Sequence, residues 1–468
     1  MTPDQVVAAS GNASWMLISA SLVLLMTPAL ALFYGGMSPR RSVLNMMMMS
    51  FGTLAVVSVV YVLWGWSMSY GTESLGGIVG NPFQFFGLKD SILDADGNYI
   101  EGASGYANII DVGFQLTFAV ISTAIISGAL ASRVKFSTWL VFSGLWATFA
   151  YFPLAHMVWG GGLLGHGEDS IAAKLWGTVQ DGEDVVAAIS PIDFAGGTVV
   201  HISAGTAALV LAIMVGNRQG FPRSIGRPHN LPMTMLGAAL LFFGWFGFNG
   251  GSAFAADGLA GLAWLNTTVA TAAAMLGWMG VELVRDKAAT SLGAASGAVA
   301  GLVTITPAAG CLTPATSIIM GIIGGALACW GVGLKFKFGF DDSLDAVGVH
   351  LVAGLWGTIG LAFFSTTDGM FTDNVGDGFK LLVVQIIIAL VAMVFAGVVT
   401  AIIAFVLGKT MGWRVDPEVE HSGIDGGEHR ESAYEMAGQA SVLANTGHAA
   451  DSKPKNAPTI TPRTDTRQ

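Results

Sequence analysis

The sequence predicts an all-α integral membrane protein. Eleven transmembrane helices form two inverted five-helix repeats plus one accessory helix, with the N-terminus outside and the C-terminus inside. Three observations carry this expectation. The 468 residues are 53% hydrophobic and only 11% charged, with a mean hydropathy of +0.63, whereas a soluble domain carries roughly 25% charged residues. The basic residues segregate to alternate loops. Two Val-His-x-x-Ala-Gly segments, around His201 and His350, recur in the two halves of the chain, each inside an apolar, glycine-rich run.

The spans follow in order. Residues 1–12 carry Asp4 and no Lys or Arg, so they lack the basic start of a signal peptide and are expected to lie outside. Apolar runs then occur at about 13–34, 43–68, 112–131, 138–159, 192–215, 231–254, 262–284, 291–310, 317–334, 346–364 and 380–407. Each is near the roughly 20 residues a helix needs to cross a bilayer. Together residues 13–408 make one membrane domain. One set of loops holds Arg40, Arg41, Arg133, Lys135, Arg218, Arg223, Arg227, Arg285, Lys287, Lys335, Lys337, Lys409 and Arg414; the other holds Lys89, Lys174 and Lys380. Basic residues favour the cytoplasmic side, which places the first set inside. An odd number of spans agrees with termini on opposite sides.

Two outer loops, 69–111 and 160–191, are polar and acidic and read as solvated loops that weakly attract cations. After Gly408 hydropathy collapses. Residues 409–468 form a tail assigned to the cytoplasm, and its distal thirty or so residues have a disordered composition. Cys311 and Cys329 suggest neither a zinc site nor a disulfide. No basic stripe suits nucleic acid, and there is no Walker loop or HExxH motif. Met46–Met49 point all round a helix and are packing residues.

The repeat runs from about 13–215 to 231–364, with helix 380–407 left over. Five spans per repeat is odd, so the second repeat enters the membrane inverted, as in many transporters. Tyr34-Gly35-Gly36-Met37-Ser38 and Asn249-Gly250-Gly251-Ser252 are weaker echoes of the same duplication. The histidines carry more weight, because an ionisable side chain at membrane depth is costly and marks a path. Two facing imidazoles can share a proton, one nitrogen donating and the other accepting. An apolar setting favours their neutral form. Asp193 is read as the one carboxylate entering the start of a His-bearing span, both as a helix cap and as an anchor for nearby positive charge. Phe114 and Phe118 share a helical face. With Trp159 and the group Trp245, Phe246 and Phe248 they offer aromatic faces to a weakly hydrated cation, assisted by the Ser252 hydroxyl.

These stretches resemble the Amt/Mep/Rh ammonium transporter family, bacterial Amt type, from about Trp15 to Tyr434. The resemblance rests on Leu25-Met26-Thr27-Pro28 with Phe33-Tyr34-Gly35-Gly36, on Ala155-His156-Met157-Val158-Trp159-Gly160-Gly161-Gly162, and on Asp193 to His201. Gly244-Trp245-Phe246-Gly247-Phe248-Asn249 and Gly348-Val349-His350 complete it. It implies a homotrimer in the cytoplasmic (inner) cell membrane, with a pore in each subunit. It implies ammonium recruitment at Trp159, Phe118 and Ser252, a gate of Phe118 and Phe248, and a pore along His201 and His350. Thr306 and Trp245 would lie near the path, and Asp193 would be a carboxylate needed for transport. Ammonium or ammonia would be the cargo and methylammonium an analogue, with no cofactor and no enzymatic step. A P-II signalling protein is the implied partner. Two departures stand out: residues 163–191 are longer than the family's usual loop, and Arg430 stands where glycine is usual. Two other classes compete. One is a non-conducting ammonium sensor; the other is a haem redox protein with His201 and His350 as iron ligands, although such bundles usually offer more than one histidine pair.

Overall fold

The computed structural model describes residues 3–434 except 103, 224 and 225; the expected disorder of the distal tail falls outside the described residues. Among the described residues, eleven helices are long and apolar enough to cross a membrane. Span 1 is Val7–Met37, span 2 Val43–Tyr70, span 3 Asn108–Leu130, span 4 Phe136–Val158, span 5 Gly197–Val215 and span 6 Leu231–Gly251. Span 7 is Gly258–Arg285, span 8 Ser291–Ala308, span 9 Pro314–Phe338, span 10 Val347–Phe364 and span 11 Val375–Thr410. Each matches an expected apolar run. The first helix starts earlier than expected, at Pro3, so most of the stretch assigned to an outer tail is helical.

Local chemistry marks the starts of the spans. Asn230, Asp257, Thr290, Thr313 and Asn374 each accept a hydrogen bond from a backbone N–H one to three residues into the helix they precede. Such caps satisfy donors that the first helical turn leaves free. Small residues let the helices close up. In span 9, Gly321 and Gly325 lie directly against the backbones of Ala270 and Ala274 in span 7, where a Cβ would collide. Span 1 packs along span 6, and span 5 meets span 10, so corresponding members of the two repeats are neighbours. The two long acidic loops are more ordered than solvated loops require. The first carries a hairpin, Ser74–Leu75 with Val79–Gly80. The second carries a short helix, Ile171–Trp176, and a hairpin, Thr178–Asp181 with Asp184–Ala187.

The basic loops gather on one face around a buried ion network. Arg133 is fully buried. Its guanidinium donates to the main-chain oxygens of Ala129 and Asp341 and to the Ser343 hydroxyl, and it lies 3.9 Å from the Asp341 carboxylate. Arg218 grips the same carboxylate through Nε and Nη2, both at 2.8 Å. Without Arg133, Asp341 keeps Arg218, but the buried Ala129 and Asp341 carbonyls and the Ser343 hydroxyl lose their donor, and each buried polar group left unpaired costs about 1–3 kcal/mol. Arg133→Met is therefore expected to destabilise the protein by about 2–4 kcal/mol, read as a lowered melting temperature in detergent. An unchanged melting temperature would refute a structural role.

The tail folds back onto this face. Asp425 accepts hydrogen bonds from the Leu44 and Asn45 N–H groups at the start of span 2. Glu428 accepts from the Phe136 N–H at the start of span 4. Tyr434 bonds His229 at 2.8 Å. Arg430 holds φ 56° and ψ 32°, the left-handed region that glycine enters without strain. This explains why glycine suits that position.

Candidate functional site

The site grows from the starts of spans 5 and 10. Before span 5 the chain turns through Gly196, whose φ of 112° suits glycine. The Asp193 carboxylate then accepts from four consecutive backbone N–H groups: Gly196 at 2.9 Å, Gly197 at 2.6 Å, Thr198 at 2.9 Å and Val199 at 3.2 Å. A helix start leaves about four such donors without partners, and one side chain takes them all. Its main-chain oxygen accepts from the Trp159 indole at 2.9 Å, which ties the end of span 4 to the start of span 5.

Span 10 repeats this design, and here one expectation is corrected. Asp193 is not the only carboxylate at the start of a His-bearing span. Asp342, almost fully buried, accepts from the Ala346 and Val347 N–H groups at 3.0 and 2.8 Å. Each aspartate stands eight residues before its histidine, 193 before 201 and 342 before 350. That equal spacing was the signal available in the sequence. Asp345 instead pairs with Lys335.

Both spans open with a π-helical turn, Gly197–Ile202 and Val347–Val352, and each turn carries its histidine inward. The wider π-turn interrupts the regular helix, as it frequently does at functional sites. His201 and His350 are buried, with ring centroids 5.3 Å apart and Nδ1 to Nδ1 at 3.3 Å. One Nδ1 must then donate and the other accept. The outer nitrogens consequently differ: one ring presents an Nε2 acceptor and the other an Nε2–H donor. Nε2 of His201 has no protein partner. The rings touch directly and leave no room for an iron and its macrocycle between them, which argues against the haem reading.

The pair faces a narrow cavity of about 10 Å³, room for about one water molecule. Its walls are apolar side chains such as Met26, Leu30, Ile121 and Val299. Phe248 forms part of its wall, and Phe118 stacks on Phe248, their rings parallel within 9° and 4.0 Å apart. Phe248 also lies 5.3 Å from Trp245 and 6.2 Å from His201. Trp245 stacks on His201 at 5.6 Å and donates to the Thr306 hydroxyl at 2.9 Å. On the far side of the phenyl pair, Trp159 meets Phe118 edge-on at 6.3 Å. Ser252, one turn beyond Phe248, donates its hydroxyl to the Phe248 carbonyl at 2.8 Å, which leaves its oxygen lone pairs free to accept. Phe114 packs on Phe118, whereas Phe246 turns away to stack on Trp264.

The structure thus joins Asp193, Trp159, Phe118, Phe248, Trp245, His201, His350 and Thr306 in one continuous chain of contacts, with Ser252 attached through Phe248. Asn249 belongs to the same network and was not singled out from the sequence. It accepts from Thr306 and donates to Thr267, fixing span 6 between spans 7 and 8. Phe248→Ala is expected to open the cavity at the phenyl stack. Osmotic shrinkage of proteoliposomes measures this: water permeability should rise several-fold, and an unchanged rate would show that the phenyl stack does not seal the path.

Comparison with known proteins decides what this arrangement belongs to. The model of the Ammonium Transporter Family matches residues 14–434. The chain belongs to the ammonium transporter family. An ammonium transporter of Mycobacterium bovis is 48% identical over 446 residues, covering 91% of both chains. One of Bacillus subtilis is 45% identical, covering 91% of this chain and 98% of the relative. Among solved structures, Mep2 of Saccharomyces cerevisiae superposes with a TM-score of 0.72 at 27% identity, over 87% of this chain and 90% of the other. A protein described as a "Sensor Amt Protein" superposes with a TM-score of 0.78 at 27% identity, over 90% and 99%. These relatives agree with a mostly helical, multi-pass membrane protein.

Proposed function

We propose that this ammonium transporter family member conducts ammonia derived from ammonium through the apolar cavity along His201 and His350. The observation that carries the reading is the closed phenyl stack set directly against two buried, mutually bonded histidines. Ammonium is recruited on the far side of the stack. Trp159 and Phe118 stabilise its charge through their ring faces, each contact contributing on the order of 0.5–2 kcal/mol. It donates a hydrogen bond to the Ser252 oxygen. The site is therefore weak and empties quickly, as conduction requires. Phe118 and Phe248 act as the gate. Beyond it an ion would lose its hydration to apolar walls, so ammonium gives up a proton to water before the gate and crosses as ammonia, while the proton follows separately along the bonded histidines, and that charge is the current by which transport is read. The Nε2 acceptor takes a hydrogen bond from ammonia and the Nε2–H donor gives one to its lone pair. Thr306 and Trp245 hold the wall of this path, and Asp193 holds the start of span 5.

In this reading the basic face is cytoplasmic, the N-terminus is outside, and the protein sits in the cytoplasmic membrane as a homotrimer. The docked tail is the surface on which a P-II signalling protein would act. Methylammonium is carried to some degree, and no chemical conversion of the cargo is required beyond proton exchange. A non-conducting sensor is the second reading, prompted by the fold of the sensor relative. Transport by reconstituted vesicles separates the two.

Potassium tests the mechanism, because it resembles ammonium in size and charge but has no proton to lose. Ammonium-evoked current is measured in proteoliposomes with potassium in large excess. Potassium is expected neither to cross nor to compete strongly. Strong inhibition, or a potassium current of comparable size, would refute deprotonation as the basis of selectivity.

A further inference from the structure

Span 11 stands outside the two repeats and is the most apolar of the spans. From Leu381 to Leu407 it carries two polar side chains, Gln385 and Thr400. Thr400 accepts the indole N–H of Trp146 at 3.0 Å. Gln385 is fully buried. A polar side chain at membrane depth is costly and commonly serves a function.

The Gln385 amide bonds main chain from both repeats. Its Oε1 accepts from the Ile192 N–H at 3.0 Å, and its Nε2 donates to the Ile192 and Thr358 carbonyls, both at 2.8 Å. Ile192 enters span 5, and Thr358 lies in span 10. Ile192 is in neither a helix nor a strand, so the amide stands where a neighbouring strand would and satisfies both of its polar groups. The amide has one orientation here. Flipped, its oxygen would face two carbonyls and its NH2 group an N–H. The seam it bridges is tight: a Cβ at Gly197 would collide with the Pro307 side chain and with the Thr358 Oγ.

The Ile192 N–H and C=O belong to the two peptide planes that flank this residue, and a peptide plane moves as a unit. Gln385 holds both planes, so it sets the direction in which the chain enters Asp193. Asp193 then makes two kinds of contact. Its carboxylate caps span 5 through N–H groups three to six residues ahead, a local arrangement that does not involve Gln385. Its main-chain oxygen accepts from the Trp159 indole, and the place of that oxygen depends on how the preceding peptide plane is held.

We propose that Gln385 is a positioning residue for the recruitment site: from span 11 it fixes the chain entering Asp193, and with it the oxygen that orients the Trp159 ring toward ammonium. This role rests on the proposed recruitment at Trp159 and places no contact between Gln385 and the cargo. It gives the span outside the repeats a function, that of holding the entry of span 5 against span 10. Loss of the amide acts on how well ammonium is gathered. It acts less on how fast a loaded site conducts, because the Asp193 carboxylate still caps the turn that carries His201.

Gln385→Met keeps the length of the side chain and removes all three bonds. In proteoliposomes of the full-length protein, the ammonium concentration giving half-maximal current is expected to rise about tenfold, as loss of one good hydrogen bond implies. The saturating current should fall less than about threefold. A variant that merely folded poorly would do the reverse, lowering the saturating current at an unchanged half-maximal concentration. Gln385→Glu, which burial favours in its protonated form, keeps one acceptor and one donor and should recover part of the affinity. Trp159→Phe keeps an aromatic face without the indole N–H. Combined with Gln385→Met it should add little to the larger single effect, because both act through the same link. Trp159→Leu separates the two levels of the argument. If it leaves the half-maximal concentration unchanged, recruitment at Trp159 fails; if it raises that concentration and Gln385→Met does not, the role of Gln385 alone fails. That role is also overturned if Gln385→Met and Trp159→Phe act independently, or if both Gln385 variants lose all current at normal protein levels, which would assign the residue to folding or conduction.

Discussion

Asp193→Ala is expected to abolish transport, lowering ammonium-evoked current in proteoliposomes by at least about a hundredfold, which corresponds to roughly 2.7 kcal/mol. The carboxylate accepts from the N–H groups of Gly196, Gly197, Thr198 and Val199. Without it, four donors at the start of span 5 lose their partner. Leaving even one buried donor unsatisfied costs about 1–3 kcal/mol. The turn that carries His201 begins at Gly197, so relaxation of this start displaces the histidine and the loop that orients Trp159. The variant also loses the negative charge that favours a cation at the entrance. Asp193→Glu keeps charge and acceptors in a shifted position and should retain part of the activity. Asp193→Asn keeps an acceptor without charge, and its activity apportions the loss between capping and electrostatics. Full transport by the alanine variant at normal protein levels would remove any functional role. Asp342→Ala is the companion measurement: with two N–H groups rather than four, it should destabilise span 10 by about 0.5–2 kcal/mol, as loss of a cap does.

Loss of either imidazole comes next in expected effect. In His201→Ala or His350→Ala the remaining ring keeps an Nδ1 that faced its partner at 3.3 Å, now inside an apolar cavity with nothing to bond. The alternating acceptor and donor at the two Nε2 positions is lost, and the space vacated by the ring widens the narrowest part of the path. A site built to hydrogen-bond its cargo discriminates strongly because its own buried polar groups would otherwise be left unpaired. The ratio of ammonium to potassium current is therefore expected to change by about tenfold or more, as losing one good hydrogen bond to a polar site implies. The current at saturating ammonium should change with it. The protein should still fold, since the flanking helices pack through other residues. Should both variants match the wild type in rate and in selectivity, the paired-histidine mechanism is wrong.

What the sequence determined by itself was the number and place of the apolar spans and most of the residues that the structure gathers around the histidine pair. Hydropathy is a local, additive property, so eleven apolar runs could be read without knowing how they pack. The cost of a histidine in an apolar run is equally local, so His201 and His350 stood out where they lay. Asp193 was legible as a cap because caps act over a few residues. Tertiary structure alone decided the rest, because it depends on segments far apart in the chain. The two Nδ1 atoms that meet belong to residues 149 positions apart. The parallel stack of Phe118 on Phe248 and the bond from Trp245 to Thr306 need spans 3, 6 and 8 placed side by side. Asp342 acts over a few residues too, at the same spacing from its histidine as Asp193; what only the fold decides is that Asp342, rather than neighbouring Asp341 or Asp345, faces the Ala346 and Val347 N–H groups. The docking of the tail was equally hidden, since Asp425 and Glu428 look like ordinary surface acids until the starts of spans 2 and 4 present unpaired N–H groups to them.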